Sequence, residues 1–288
     1  MPRPPTSLRI KMIDLGFMQG RLCDQIGENI QAFPWDDWRR EFKIASEVGF
    51  SAMEWTLDAS GLHENPLLTP AGQAEIKTLS SKHKVQVVSV TGDCFMQAPF
   101  WKTADRDEQN RLVSDLLSVV DACSSMCIQK IVVPIVDNGS IENEDEEVLL
   151  LQYFLKFSKY LRRSRVRIMF ETDFSPSKNK EFICKLPADV FGINYDSGNS
   201  ASLGYNVTEE FKLFSDRIGN IHIKDRNING GSVPLGEGNV DFIAFLKCVQ
   251  NINYSGNLIL QTARAVNGEH SSALISYRNF INNIWTTI

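Results

Sequence analysis

Eight short apolar or β-branched runs, each followed by a longer amphipathic stretch, constrain this chain more than any other feature. The runs lie at 13–18, 52–56, 85–91, 130–136, 167–172, 190–196, 220–224 and 258–261. Helical patterns fill 35–48, 69–82, 106–126, 144–162, 176–186, 207–216, 240–251 and 270–285. In 106–126 the apolar residues Leu112, Val113, Leu116, Leu117, Val119, Val120 and Cys123 recur at helical spacing. The pattern at 35–48 stops at Gly49, a residue suited to the left-handed turn that ends a helix. Strict alternation of this kind predicts βα units on a parallel sheet. Eight units in 288 residues match a single α/β domain, a closed (β/α)8 TIM barrel. The competing open, doubly wound sheet would carry a glycine-rich phosphate loop after its first strand. Here that turn reads Met18, Gln19, Gly20, Arg21. Residues 1–10, with Pro2, Pro4 and Pro5, read as a loose N-terminal extension, and 11–288 as the barrel.

In such a barrel the chemistry sits at the C-terminal ends of the strands. The fifth run ends in Glu171, the sixth in Asp196, the seventh carries His222 and the eighth ends in Gln261. Each is separated from the next by about one βα unit, so the four side chains should converge at one side of the mouth. Two carboxylates, an imidazole and an amide oxygen make a hard, mixed oxygen and nitrogen donor set. It suits one divalent ion, Mn²⁺, Mg²⁺ or Co²⁺, with Zn²⁺ also accommodated. Thiolates are absent from the set, against a closed structural zinc site.

Composition removes several function classes. The formal net charge is -5, and no basic face of the nucleic-acid-binding kind stands out. No basic amphipathic segment suggests membrane-surface binding, and no run of apolar residues is long enough to span a bilayer. The N-terminus has positive charge but no apolar stretch before a small-residue cleavage site, so a cytoplasmic location is expected. The six cysteines are scattered and fit reduced thiols; Cys123 and Cys127 are expected to be buried in the core.

The segments FET at 170–172, YDSGN at 195–199, HIKD at 222–225 and PLGEGNVDF at 234–242 resemble the xylose-isomerase-like sugar phosphate isomerase/epimerase superfamily. Its members include ketose 3-epimerases, hydroxypyruvate isomerase, inosose dehydratase, pentulose- and hexulose-phosphate isomerase/epimerases and type-IV AP endonucleases. The resemblance runs from the first strand to the eighth. It implies Glu171, Asp196 and His222 as metal ligands. The fourth family position, a glutamate in the epimerases, falls on Gln261, whose amide can coordinate an ion but cannot take a proton at neutral pH. Those epimerases use the first and last glutamates as acid/base groups on the two faces of the substrate, and this chain keeps only Glu171. Many members also have a histidine where Asn199 stands.

The resemblance implies an isomerase or epimerase of a small sugar or sugar phosphate, acting through an enediolate with Glu171 as the base. Glu54 and Glu237 are candidate second acids. Asp225 is expected to orient the metal site or to pair with Arg226. Lys224, Arg226, Arg264 and Arg21 are candidate contacts for a substrate phosphate. Asn199 and Glu237 are candidates for the sugar's hydroxyls, and Trp55 and Phe95 for an apolar wall along the sugar. The aromatic loop 93–103 reads as a lid or an oligomer contact, and a homo-oligomer is consistent with the family. Three other readings use the same scaffold. A DNA-repair endonuclease would need more histidines than the four present. A metal-dependent keto-polyol dehydratase needs one carboxylate and a metal. A non-catalytic barrel would follow from loss of the second carboxylate at Gln261.

Overall fold

A computed structural model describes residues 13–27, 31–265 and 268–288, so the expected extension at 1–10 lies outside the described residues. The strands of the barrel are β1 (Leu15–Met18), β2 (Ala52–Thr56), β3 (Gln86–Thr91), β4 (Lys130–Ile135), β5 (Arg167–Thr172), β6 (Phe191–Asp196) and β7 (Ile218–Ile223). A short antiparallel ribbon follows, β8 (Asp225–Arg226) with β9 (Ser232–Val233), and β10 (Leu258–Leu260) closes the barrel. The closed order is β1-β10-β7-β6-β5-β4-β3-β2, with parallel pairing throughout. The (β/α)8 expectation therefore holds, and each of the eight sequence runs coincides with a barrel strand to within two residues at either end.

The outer helices are α1 (Trp38–Glu47), α2 (Pro70–His83), α4 (Arg106–Ser125), α5 (Glu144–Ser164), α6 (Pro176–Cys184), α8 (Val207–Phe214), α9 (Phe242–Asn251) and α10 (His270–Thr287). Their starts are written in the sequence. Thr69, Asp105, Asn143, Ser175, Asn206 and Asp241 each accept a backbone N–H from the first turn, and Pro70 and Pro176 occupy first helical positions. Helix α5 carries four acids in its first turn and Arg162 and Arg163 in its last, in line with the helix dipole. Gly49 has φ +83°, as its place after α1 requires.

Two short helices escaped the periodicity, α3 (Asp93–Gln97) and α7 (Ser197–Ser202), because a five- or six-residue helix is too short to show a period. Each starts directly at the end of a strand and points its first turn at the barrel mouth. The aromatic loop 93–103 is not a lid: Phe95, Phe100 and Trp101 are buried, Trp101 donating to the Gly139 carbonyl at 3.0 Å. Cys123 is buried, but Cys127 is exposed at a left-handed position beyond the end of α4, so only one of the two expected core thiols is in the core. Among the described residues, no helix is long and apolar enough to cross a membrane.

Candidate functional site

Side chains alternate across a strand, so one parity of each barrel strand faces the interior. On β6, Asn194 and Asp196 face in while Tyr195 packs outward on Phe211 and Phe245. On β7 the inward set is Asn220 and His222, continued by Lys224. Pairing sets Asp196 beside His222 and Asn194 beside Asn220. One donor atom each from Glu171, Asp196 and His222 lie within 4.8 Å of one another, and all three residues are buried.

A network of buried side chains fixes this cluster from below. His222 Nε2 meets Glu54 Oε1 at 2.7 Å across the barrel, and Nδ1 faces Glu171 Oε2 at 3.2 Å. Glu54 also accepts from Ser89 at 2.5 Å and from Asn220 at 2.9 Å. Asn220 donates to Asn194 Oδ1 at 2.9 Å, and Asn194 donates to Glu171 Oε2 at 2.6 Å. Burial alone would raise Glu54; the charge of His222 and bonds from His222, Ser89 and Asn220 outweigh it and hold the carboxyl below its usual range. Burial would lower His222, but Glu54 and Glu171 overcome it and push the imidazole up to about 10. Glu171 is likewise held below the ordinary carboxylate value: burial opposes ionisation, and the His222 bond, the charges of His222 and Lys224 and the Asn194 bond prevail.

Asp196 divides its two oxygens. Oδ1 caps α7 through the Asn199 N–H at 2.8 Å, and Oδ2 faces Lys224 Nζ at 3.4 Å. Lys224 Nζ also donates to Gln261 Oε1 at 3.2 Å. The stem of Lys224 passes against Gly198, where a Cβ would lie 2.8 Å from Lys224 Cγ, so the glycine of YDSGN makes room for the lysine. Asn199 donates to Glu171 Oε1 at 2.6 Å and accepts from Arg226 at 2.8 Å. It is thus the link between Arg226 and the base candidate.

These groups open onto a cavity of about 780 Å³ whose lining includes Glu171, Asn199, Lys224, Arg226, Gln261, Arg21 and Asp93. Asp93, at the start of α3, was missed by the sequence reading. It is buried, and burial, with Asp58 and Glu171 nearby, raises its carboxyl to about 7. Arg21 is buried in the wall with Nε on the Thr262 carbonyl at 2.9 Å.

Several expected site residues are elsewhere. Trp55 has the outward parity of β2: it is fully buried among Phe33, Trp38 and Phe42 and donates to Asn65 at 3.0 Å, so it makes no wall for a sugar. Phe95 is buried too and is not in the lining. Arg264 turns its guanidinium onto the carbonyls of Gly20 and Cys23, bracing the loop after β1 rather than the cavity. Glu237 is exposed on its loop and outside the lining. Glu54 is the interior partner of His222, below the mouth. Asp225 neither orients a donor nor pairs with Arg226. It is fully buried and accepts from the backbone of Gly236 (2.8 Å), Gly238 (2.9 Å) and Val240 (3.2 Å). A Cβ on Gly238 would lie 2.2 Å from Asp225 Oδ1. The aspartate of HIKD and the second glycine of GEG are therefore two halves of one loop clasp.

Residues 42–276 match the family model described as xylose isomerase-like TIM barrel. A Haemophilus influenzae protein that bears the name of an L-ribulose-5-phosphate 3-epimerase is 24% identical over 259 residues, spanning 85% of this chain and 90% of the relative. Among solved structures, IOLI protein with a bound zinc atom superposes with a TM-score of 0.75 at 14% identity, over 96% of this chain and 100% of the other. D-allulose 3-epimerase from Methylomonas sp., in complex with D-allulose, gives a TM-score of 0.72 at 14% identity, over 95% of this chain and 97% of the other.

Proposed function

Since this chain belongs to the xylose isomerase-like TIM barrel family, we propose that it is a divalent-metal-dependent isomerase or epimerase of a small sugar or sugar phosphate, with Glu171 as the base. The observation that carries this reading is the convergence of donor atoms from Glu171, Asp196 and His222, on three adjacent strands, with Glu171 in the lining of the cavity and the other two buried beside it. The names of the relatives, a ketose-phosphate 3-epimerase and a ketose 3-epimerase, supply the reaction class.

The residues present fit a divalent ion. Two carboxylates and an imidazole are hard or borderline donors suited to Mn²⁺, Mg²⁺, Co²⁺ or Zn²⁺. Glu54 takes the Nε2 side of His222 and leaves Nδ1 turned toward the other donors, the arrangement in which an outer carboxylate fixes a ligating histidine. Gln261 Oε1 is the fourth candidate donor, within reach of Lys224. A bound ion would supply Lewis-acid polarisation of the substrate carbonyl.

The chain's own groups do the rest. Glu171, held ionised between Asn194 and Asn199, removes the proton on the carbon beside the carbonyl. Arg226 fixes Asn199 and so the direction of that carboxylate. Lys224, Arg226 and Arg21 line the cavity as cations for the enediolate or for a substrate phosphate.

The test begins with metal content of the purified protein and of its His222→Ala variant, each before and after soaking in Mn²⁺. About one ion per chain, lost in the variant, is expected. The loaded protein should then place solvent deuterium on C3 of L-ribulose 5-phosphate, L-ribulose or D-allulose. A wild type that takes up no ion sinks the reading. The contact of Lys224 Nζ with Asp196 and Gln261 would then favour a barrel whose lysine neutralises the acids and which performs no chemistry.

A further inference from the structure

The amide of Gln261 leaves this chain short of one carboxylate for inverting a carbon, because inversion needs a proton taken from one face and returned to the other. Four acids line the cavity: Asp93, Asp137, Glu171 and Asp173. Asp137 is exposed at the rim, and Asp173 is partly exposed with Oδ2 accepting from Ser140. Only Asp93 and Glu171 are buried. Their surroundings differ. Both oxygens of Glu171 are held by asparagine N–H groups at 2.6 Å, whereas among the described residues the hydrogen bond to Asp93 is a long one, 3.4 Å from Thr91 Oγ1. In the strand order, β3 stands opposite β7 and two strands from β5, on the side of Glu171 away from β10. Glu171 and Asp93 thus enter the same cavity from places two strands apart on the barrel wall.

We propose that Asp93 is the second acid/base residue of this site, taking the part that Gln261 cannot perform; this rests on the epimerase reading above. Glu171 breaks the C3–H bond and keeps the proton, and the electron pair enters the enediolate. The Asp93 carboxyl then gives its proton to the opposite face of C3, forming the new C–H bond. Nothing is oxidised or reduced; the Glu171 proton passes to water and Asp93 is reprotonated from water. The groups facing Asp93 are Arg21 after β1, Asp58 after β2, Glu171 on β5, and His222 and Lys224 on and after β7. Burial with Asp58 and Glu171 nearby keeps the carboxyl protonated further up the pH scale than an ordinary aspartate, as a donor requires.

The experiment compares Mn²⁺-loaded wild type and Asp93→Asn on L-ribulose 5-phosphate, L-ribulose and D-allulose in D₂O, following exchange and inversion at C3 separately by NMR. Metal content of both proteins is measured alongside. Asp93→Asn should keep its metal and hold exchange within about tenfold of wild type, while inversion falls by about a hundredfold or more. Inversion within tenfold of wild type overturns the role of Asp93 and leaves the epimerase reading standing. Equal loss of exchange and inversion also overturns it, because a residue that only shapes the site slows both. No exchange by wild type on any of the three sugars overturns the epimerase reading and Asp93 with it. Should Asp93→Asn fail to fold, Asp93→Glu is read in its place: a larger fall in inversion than in exchange supports the role, and equal falls overturn it.

Discussion

The two sides of the barrel mouth use buried polar groups in opposite ways. On the β1–β2 side they are consumed by the backbone. Gln19 accepts from the Thr56 N–H at 3.0 Å, Glu41 of α1 accepts from Gly20 and Leu22, and Arg21 and Arg264 donate to carbonyls. On the β5–β7 side the bonds run from side chain to side chain, through Glu171, Asn194, Asn199, Asn220 and His222 to Glu54. The first arrangement rigidifies a loop, and of these four side chains Arg21 alone also borders the cavity. The second aims acceptor oxygens and an imidazole nitrogen at a shared point. A polar residue at a strand end is therefore weak evidence of a site until its partners are known.

This difference also marks what was legible in the sequence. Barrel and strands could be read because eight alternating runs recur along the chain, and the meeting of Glu171, Asp196 and His222 because polar residues stand at the ends of successive strands. Two of the misplaced residues, Trp55 and Asp225, fell on the wrong side of a single-residue parity. Glu54 faces in and Trp55 out, His222 and Lys224 face in and Asp225 out, and a one-residue step flips a side chain to the other face of a sheet. The same parity could have added Asn194 and Asn220, which share it with Asp196 and His222. Asp93 had no such signal: it lies beyond the end of β3, on a helix too short to show a period. The uses of Arg264 and Glu41 depend on backbone groups of the loop after β1, which no side-chain pattern reveals.

The sharpest break of the comparison is Glu171→Gln. If the β5–β7 side carries the chemistry, deuterium exchange at C3 should fall by roughly 10²–10⁴-fold with the fold intact by circular dichroism. Exchange at the wild-type rate would remove Glu171 as base. Next in size is Asp225→Ala. Three backbone N–H groups would lose a buried acceptor, and urea denaturation should show a loss of ~2–4 kcal/mol. Glu237→Ala, twelve positions along and exposed on the clasped loop, is the control and should stay within about 0.5 kcal/mol of wild type. Equal effects at the two positions would refute the clasp. Glu54→Gln probes the orienting layer. Calorimetric titration with Mn²⁺ should show affinity weakened by about 10–100-fold, as found when the outer partner of a ligating histidine is removed. Unchanged affinity would mean that Glu54 braces the barrel without aiming His222.

Asp93 is the exception to both arrangements, a buried carboxyl whose hydrogen bond among the described residues is the long one from Thr91 Oγ1, and pH exposes the cost. Its folded value is raised from the ordinary aspartate value to about 7, chiefly by burial. A raised carboxyl binds its proton more tightly in the folded state than in the unfolded one. Its contribution to stability is therefore fully present below about pH 4 and is lost as pH rises through about 7. Above that, the folded protein holds a poorly solvated charge beside Asp58 and Glu171. Asp93→Asn removes the charge, so its stability relative to wild type should rise between pH 5 and pH 8 by ~1–3 kcal/mol, which is below the full value of such a shift because the side chain borders the open cavity. Urea denaturation of the metal-free proteins at the two pH values measures it. A difference that does not change with pH would show that the fold does not hold the Asp93 carboxyl protonated and would erase the exception. A difference of the expected sign, together with loss of inversion, would mean that the chain tolerates a destabilising acid at neutral pH because its reaction uses the proton.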